Sequence, residues 1–221
     1  MSIQLTIPDH ILFEDPYILL VNKPGSLMVE PDRNNHPNLL QQVRSYIKAS
    51  LPKGQEQYAQ HIHRLDRPVS GIVLFAKQKR VLKNLSEQFA ERRVKKFYQA
   101  LTTNAPEQKM GKIESWLRKE KKKAVLYQEE VEWSEKAILT YEVQKFSPDR
   151  FLWNIELYTG KYHQIRAQLS AINCPIIGDM TYGSELPYKL DSIALHACRL
   201  IFFHPVSNEE MIIESKANFE S

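Results

Sequence analysis

The 221-residue sequence predicts an α+β fold: a mixed, largely antiparallel central sheet with flanking helices. Three observations carry this. Short β-rich runs follow one another with few helical stretches between them, which argues against a doubly wound nucleotide-binding fold. Only three segments place apolar residues at helical spacing. Turn formers fall between the runs, as in Asp15-Pro16 and Ser147-Pro148-Asp149-Arg150.

Taken in order, Ile11–Glu14 and Tyr17–Asn22 read as two strands, and Lys23-Pro24-Gly25 ends the second. Asn38–Ser50 reads as a helix. Leu39, Leu40, Val43 and Ile47 share one face, and His36-Pro37-Asn38 supplies Pro and Asn where helix starts favour them. Pro52-Lys53-Gly54 then breaks the chain. The apolar run Gly71–Ala76 is a buried strand. A second helix follows over Lys79–Arg92, with Val81, Leu85 and Phe89 as a core stripe. Strands are expected at Lys96–Thr102, Ile113–Leu117, Ala137–Lys145 and Phe151–Tyr158. The third helix spans Lys161–Asn173, with Ile165, Leu169 and Ile172 on one face and His163 and Arg166 to one side. Ser192–Phe203 and Glu210–Ile213 close the chain as a hairpin.

The length fits one catalytic domain over residues 1–221, large enough to bury a core. With 43% hydrophobic and 25% charged residues the composition is that of a soluble globular protein. A net charge of +4 suits an anionic partner without requiring one. The basic residues cluster in three places: Lys77, Lys79, Arg80 and Lys83; Arg92, Arg93, Lys95 and Lys96; and the run Lys119 to Lys123, read on its own as a solvated helix face or loop. Cys174 and Cys198 form neither a disulfide framework nor a zinc spacing. The N-terminus lacks a signal-peptide pattern, and no apolar run approaches the roughly 18 residues needed to span a bilayer. A cytoplasmic protein without membrane association is the expectation.

The most specific stretch is His61 to Lys77, HIHRLDRPVSGIVLFAK, which sets Asp66 between Arg64 and Arg67 just ahead of a buried strand. Its His63-Arg64-Leu65-Asp66 followed by Ser70-Gly71 resembles the signature of the RluA family of RNA pseudouridine synthases. Lys96-Phe97-Tyr98 resembles the family's second motif. Thr159-Gly160-Lys161-Tyr162-His163-Gln164-Ile165-Arg166 resembles its third, with Lys161 where Arg is commoner. Gly178-Asp179, Tyr182-Gly183, Leu195-His196-Ala197 and His204-Pro205 match in order, so the resemblance runs from about Ile11 to Ile213. It implies the pseudouridine synthase fold, a mixed antiparallel sheet with a central active-site cleft.

The resemblance also implies a reaction. The bond from nitrogen to sugar in uridine is broken, the base is turned, and it is rejoined through carbon 5. A carboxylate ionised at neutral pH suits this chemistry, and by resemblance Asp66 is the catalytic aspartate. Attack on the sugar, attack on the base and simple proton removal all stay open. Arg166, which closes the third motif, is the expected cation for Asp66, and Lys161 is the alternative. Tyr98 falls where the family keeps a tyrosine that packs on the target uridine. Arg64 resembles an arginine associated with turning the nucleotide out of the RNA, a step that costs a few kcal/mol. His63 and His163 are expected to shape the loop and the helix start.

The partner implied is structured RNA: transfer RNA or large-subunit ribosomal RNA, with a lean to transfer RNA from Pro68 after Arg67. Lys77, Lys79, Arg80, Arg92, Arg93, Lys95 and Lys96 are the candidate RNA-binding cations. Ten residues precede Ile11, which leaves no room for the small extra RNA-binding domain that many members carry. The chemistry needs no cofactor. His61 and His63 alone make at most a partial metal site, and no metal is expected. A non-catalytic RNA-binding or RNA-folding factor on the same scaffold also fits the basic runs.

Overall fold

Two strands buried along almost their whole length organise the first half of the chain, and a meander of longer, half-exposed strands organises the second. The computed structural model describes residues 3–34, 36–52, 54 and 56–219; Lys53 of the expected chain break lies outside them. The elements are β1 (Ile11–Glu14), β2 (Ile18–Lys23), α1 (Leu39–Ser50), β3 (Gln60–His61), β4 (Ser70–Ala76), α2 (Lys79–Ala90), β5 (Lys95–Thr102), β6 (Met110–Glu120), β7 (Lys123–Tyr127), β8 (Glu135–Ser147), β9 (Arg150–Leu157), α3 (Gln164–Ala171), β10 (Leu195–Phe203) and β11 (Glu210–Glu214). They fall into two compact units. One holds the described residues up to Val94 with Cys198–Lys216; the other holds Lys95–Ala197 with residues 217–219.

In the first unit β2 lies antiparallel between β1 and β4, in a register that sets Ile18 opposite Ala76 and Lys23 opposite Gly71. β3 pairs with β4, and β10 forms a hairpin with β11. Ile18, Leu20, Ile72, Leu74 and Ala76 pack with Val81 and Leu85 of α2 and with Leu200 and Phe202. The alternate residues Leu19, Val21, Val73 and Phe75 are fully buried too, so β2 and β4 are covered on both faces. α1 starts at Asn38, whose side chain accepts the Gln41 N–H at 3.0 Å, as a helix cap should.

In the second unit the strand order is β5-β9-β8-β6-β7, every pairing antiparallel. Trp153 is wholly buried and donates its indole N–H to Thr102 Oγ1 at 2.8 Å. A smaller apolar cluster joins Leu117, Ala124 and Ala137 to Ala167 of α3 and to Tyr182.

The α+β reading holds, with three local differences. The lysine run is a solvated hairpin turn and its strand ends, not a helix face: Lys119 and Glu120 end β6, Lys123 begins β7, and Lys121 and Lys122 turn between them. Charge hid the β-rich Ala124-Val125-Leu126 that follows. β3 is two residues long and leaves no periodic signal. The third helix begins at Gln164, not Lys161, because His163 takes a left-handed backbone at φ 52°.

Candidate active site

The signature loop runs from β3 into β4 within the first unit. Leu65 and Val69 are buried on either side of Asp66 and pin the loop to the core, leaving Asp66 half-buried. The Val69 N–H donates to the Asp66 carbonyl at 3.0 Å and closes a turn over Arg67 and Pro68. Gly71 follows at φ 120°, a backbone that favours glycine. His63 braces the entry: its Nε2 accepts the Leu74 N–H at 3.2 Å, and its ring stacks on Phe89 of α2 at 5.1 Å. Arg64 points outward, 65% exposed and paired with Glu30. His61 Nε2 lies 3.4 Å from the same Glu30, so the two imidazoles of the signature turn their nitrogens to different partners. Among the described residues no three His, Cys, Asp or Glu side chains form a metal-holding group.

Beneath this loop lies a residue that the sequence reading passed over as a strand end. Lys23 has no solvent exposure. Its ammonium donates to the carbonyls of Pro24 at 2.9 Å, Leu27 at 2.7 Å and Arg67 at 3.2 Å. All three of its protons are thereby used. Burial brings its pKa down from 10.5 to about 7, and the negative charge of Asp66 opposes that fall. Arg67 returns the link by donating Nε to the Ser26 carbonyl at 3.1 Å. The loop after β2 and the signature loop are thus laced together around a buried cation one residue from Asp66. The available signal was Lys23-Pro24-Gly25 directly after an apolar run; sequence alone cannot show that the lysine turns inward.

In the second unit the third motif is an anchoring device for α3. Ile138 N–H donates to Thr159 Oγ1 at 2.8 Å, and Thr159 Oγ1 donates to Gln164 Oε1 at 2.8 Å. Gln164 Nε2 reaches the Ile138 carbonyl, and Gln168 Nε2 reaches Ser115 Oγ at 2.9 Å and the Ala137 carbonyl at 3.2 Å. These bonds fix a helix whose residues Gln164–Leu169 are all buried, not the one-sided helix the spacing suggested. Arg166 is 5% exposed and therefore no ordinary surface arginine. Its Nε and Nη2 donate to the two carboxylate oxygens of Asp179 at 2.6 and 2.9 Å, and its guanidinium lies 5.0 Å from the Tyr182 ring centre. Asp179 is a second residue whose part the sequence did not reveal, although Gly178-Asp179 stood among the matching motifs. Gly178 has φ 88°, and a Cβ there would sit 2.5 Å from Tyr188 Cβ. His163 Nδ1 is 3.0 Å from the Tyr182 hydroxyl, and its ring stacks on Tyr162.

The remaining expected residues divide by exposure. Tyr98 is 9% exposed on β5, opposite Ile155. Lys161 pairs with Glu135. Lys79, Arg80, Arg92, Arg93 and Lys95 are exposed, with Arg93 paired to Glu91, and Lys96 is half-buried. Lys77 departs from the set: its ammonium donates to Glu14 and to the Asp15 carbonyl, both at 2.6 Å, and its side chain is only 17% exposed. The fold uses that cation internally, so it is not a free surface charge.

Comparison with known proteins identifies the family and the fold. A sequence family described as RNA pseudouridylate synthase matches residues 17–171. The dual-specificity RNA pseudouridine synthase RluA of Escherichia coli is 31% identical, over 95% of this chain and 93% of its own. The ribosomal large subunit pseudouridine synthase C of Buchnera aphidicola is 29% identical, over 95% of this chain and 67% of its own. Among solved structures, human RNA pseudouridylate synthase domain containing 4 has the same fold, with a TM-score of 0.79 over 96% of this chain and 90% of its own at 23% identity. No helix among the described residues is long and apolar enough to cross a membrane. The protein belongs to the RNA pseudouridylate synthase family and is an isomerase that acts on RNA.

Proposed function

We propose that this protein converts a specific uridine of structured RNA to pseudouridine with Asp66 as the catalytic carboxylate. The observation that carries this reading is the placement of Asp66: at the turn of a loop braced by His63, Leu65 and Val69, with the buried Lys23 ammonium bonded to the next residue's carbonyl. A carboxylate held half-buried beside a desolvated cation is a common way of building a reactive site. Asp66 acts on the sugar or the base while the uracil is detached, turned and rejoined through carbon 5. Tyr98 and Arg166 are the further residues that the motif resemblance assigns to the reaction. Arg64, held outside only by an exposed ion pair worth at most about 1 kcal/mol, is free in energy terms to leave Glu30 and fill the space of the extruded nucleotide.

The substrate is a transfer RNA or the large-subunit ribosomal RNA, with transfer RNA favoured by the wording of the signature around Pro68. Lys79, Arg80, Arg92, Arg93, Lys95 and Lys96 supply phosphate contacts that position the RNA without reading its sequence. The cytoplasm is the proposed site of action; burial pushes the thiols of Cys174 and Cys198 up to about 11, which makes both poor nucleophiles.

The test is turnover on transcripts of both RNA classes. Wild-type protein forms pseudouridine, and Asp66→Asn forms none while binding the same RNA with nearly unchanged affinity. Turnover by a pure Asp66→Asn preparation removes Asp66 from the chemistry. Binding by wild type without any product, on both RNA classes, supports an RNA-binding or RNA-folding factor instead.

A further inference from the structure

The second unit carries an aromatic and cationic pocket that, Lys161 of the third motif apart, none of the roles above uses. Trp133 is 82% exposed, the most exposed of the chain's three tryptophans, and its backbone has φ 63°. A bulky residue in that region is a genuine outlier, strained by about 1–3 kcal/mol. The turn that holds it is braced at both ends: Ser134 N–H donates to the Val131 carbonyl at 3.0 Å, and Val131 N–H donates to Ser134 Oγ at 2.9 Å. The fold therefore spends backbone strain to hold a large aromatic face in water.

Trp133 lines a cavity of about 400 Å³ with Arg118, Lys119, Glu135, Lys161 and Tyr162. Lys119 sets its ammonium 4.6 Å from the Tyr162 ring centre, and no carboxylate pairs with it among the described residues. Lys161 pairs with the exposed Glu135, a pairing a phosphate can displace. An exposed aromatic face for a base, that of Trp133, and cations for a phosphate are the two halves of a nucleotide site, while Tyr162, stacked on His163 and under the Lys119 ammonium, forms part of the wall. An acidic peptide would use the cations but not an exposed indole. No residue of the signature loop lines the cavity.

We propose that this pocket binds an unpaired nucleotide of the RNA substrate other than the target uridine, with its base stacked on Trp133 and its phosphate on Lys119 and Lys161. The proposal rests on the reading of RNA as substrate and adds a determinant of which RNA is chosen. The probe is a short oligouridylate titrated into the whole protein while tryptophan emission is followed, with structured RNA affinity measured alongside.

Saturable quenching is expected for wild type and its absence for Trp133→Phe, whose ring still stacks and keeps affinity near wild type. Trp133→Ala should bind structured RNA roughly 5- to 150-fold more weakly, and Lys119→Gln should make the slope of log affinity against log salt shallower by about one. Melting of the variants near the wild-type temperature shows that they fold. Absence of quenching, Trp133→Ala affinity within twofold of wild type, or quenching by polyglutamate instead of oligouridylate overturns the proposal. Emission needs no turnover, so a protein that quenches normally but forms no pseudouridine fails the catalytic reading and leaves this one standing.

Discussion

A lysine ammonium cut off from solvent is tolerated only when its protons find acceptors, and Lys23 gives all three to carbonyls around the Asp66 loop. Its pKa is about 7 in the fold against 10.5 in the unfolded chain. Between those values the unfolded chain holds the extra proton, so stability rises with pH across that window; below about pH 7 the full cost of the buried charge is present. Lys23→Met removes this term. Urea unfolding at about pH 6 and about pH 10 should show wild type gaining on the variant at the higher pH. A constant difference would mean that Lys23 does not titrate in the window. In Asp66→Asn the gain should begin at lower pH, because the Asp66 charge holds the lysine up. At this scale the sequence names Asp66 and Arg166 as candidates through their motifs. It was silent where the clue was burial, as for Lys23 and Lys77: two lysines that look like surface charges until their neighbours are known.

At the scale of elements, α3 is held by polar bonds instead of an apolar stripe. Thr159, Gln164 and Gln168 tie it to β8 and β6, and Arg166 is fixed by both oxygens of Asp179. Removing one partner of a buried ion pair typically costs about 3–5 kcal/mol. Asp179→Ala should therefore lower unfolding stability by about that amount, measured by the urea midpoint at unchanged slope. A loss below about 1 kcal/mol would mean that the pair behaves as a surface pair. Periodicity predicted α1 and α2 well because their buried residues, Leu39, Leu40, Val43 and Ile47 or Val81 and Leu85, follow one face. It misplaced the start of α3, where a left-handed His163 delays the helix and burial on all sides erases the pattern. It missed β7, where the lysine run drew attention away from Ala124, buried against Ala167.

At the scale of the molecule, the net charge of +4 and the clustered basic residues suit the proposed RNA partner. Under the proposed reading, the exposed Lys79, Arg80, Arg92, Arg93 and Lys95 are the cations that contact phosphates. If about five phosphates are contacted, log affinity should fall with a slope of about −4 against log salt. Arg92→Ala should flatten that slope by about one, and Lys77→Ala should leave it unchanged, since Glu14 already takes that charge. A flat response in wild type would mean that these cations do not touch RNA. The α+β class was legible at this scale because strand runs and turn residues recur along the chain; the division into two units was not, since no composition shift marks the passage at Val94 and Lys95.

The most direct measurement is a map of pseudouridine in total RNA from cells that carry the gene, lack it, or carry it as Asp66→Asn. The account predicts that one defined uridine site is modified with the wild-type gene and unmodified in the other two. Identical maps in all three, or full modification with Asp66→Asn, would contradict it.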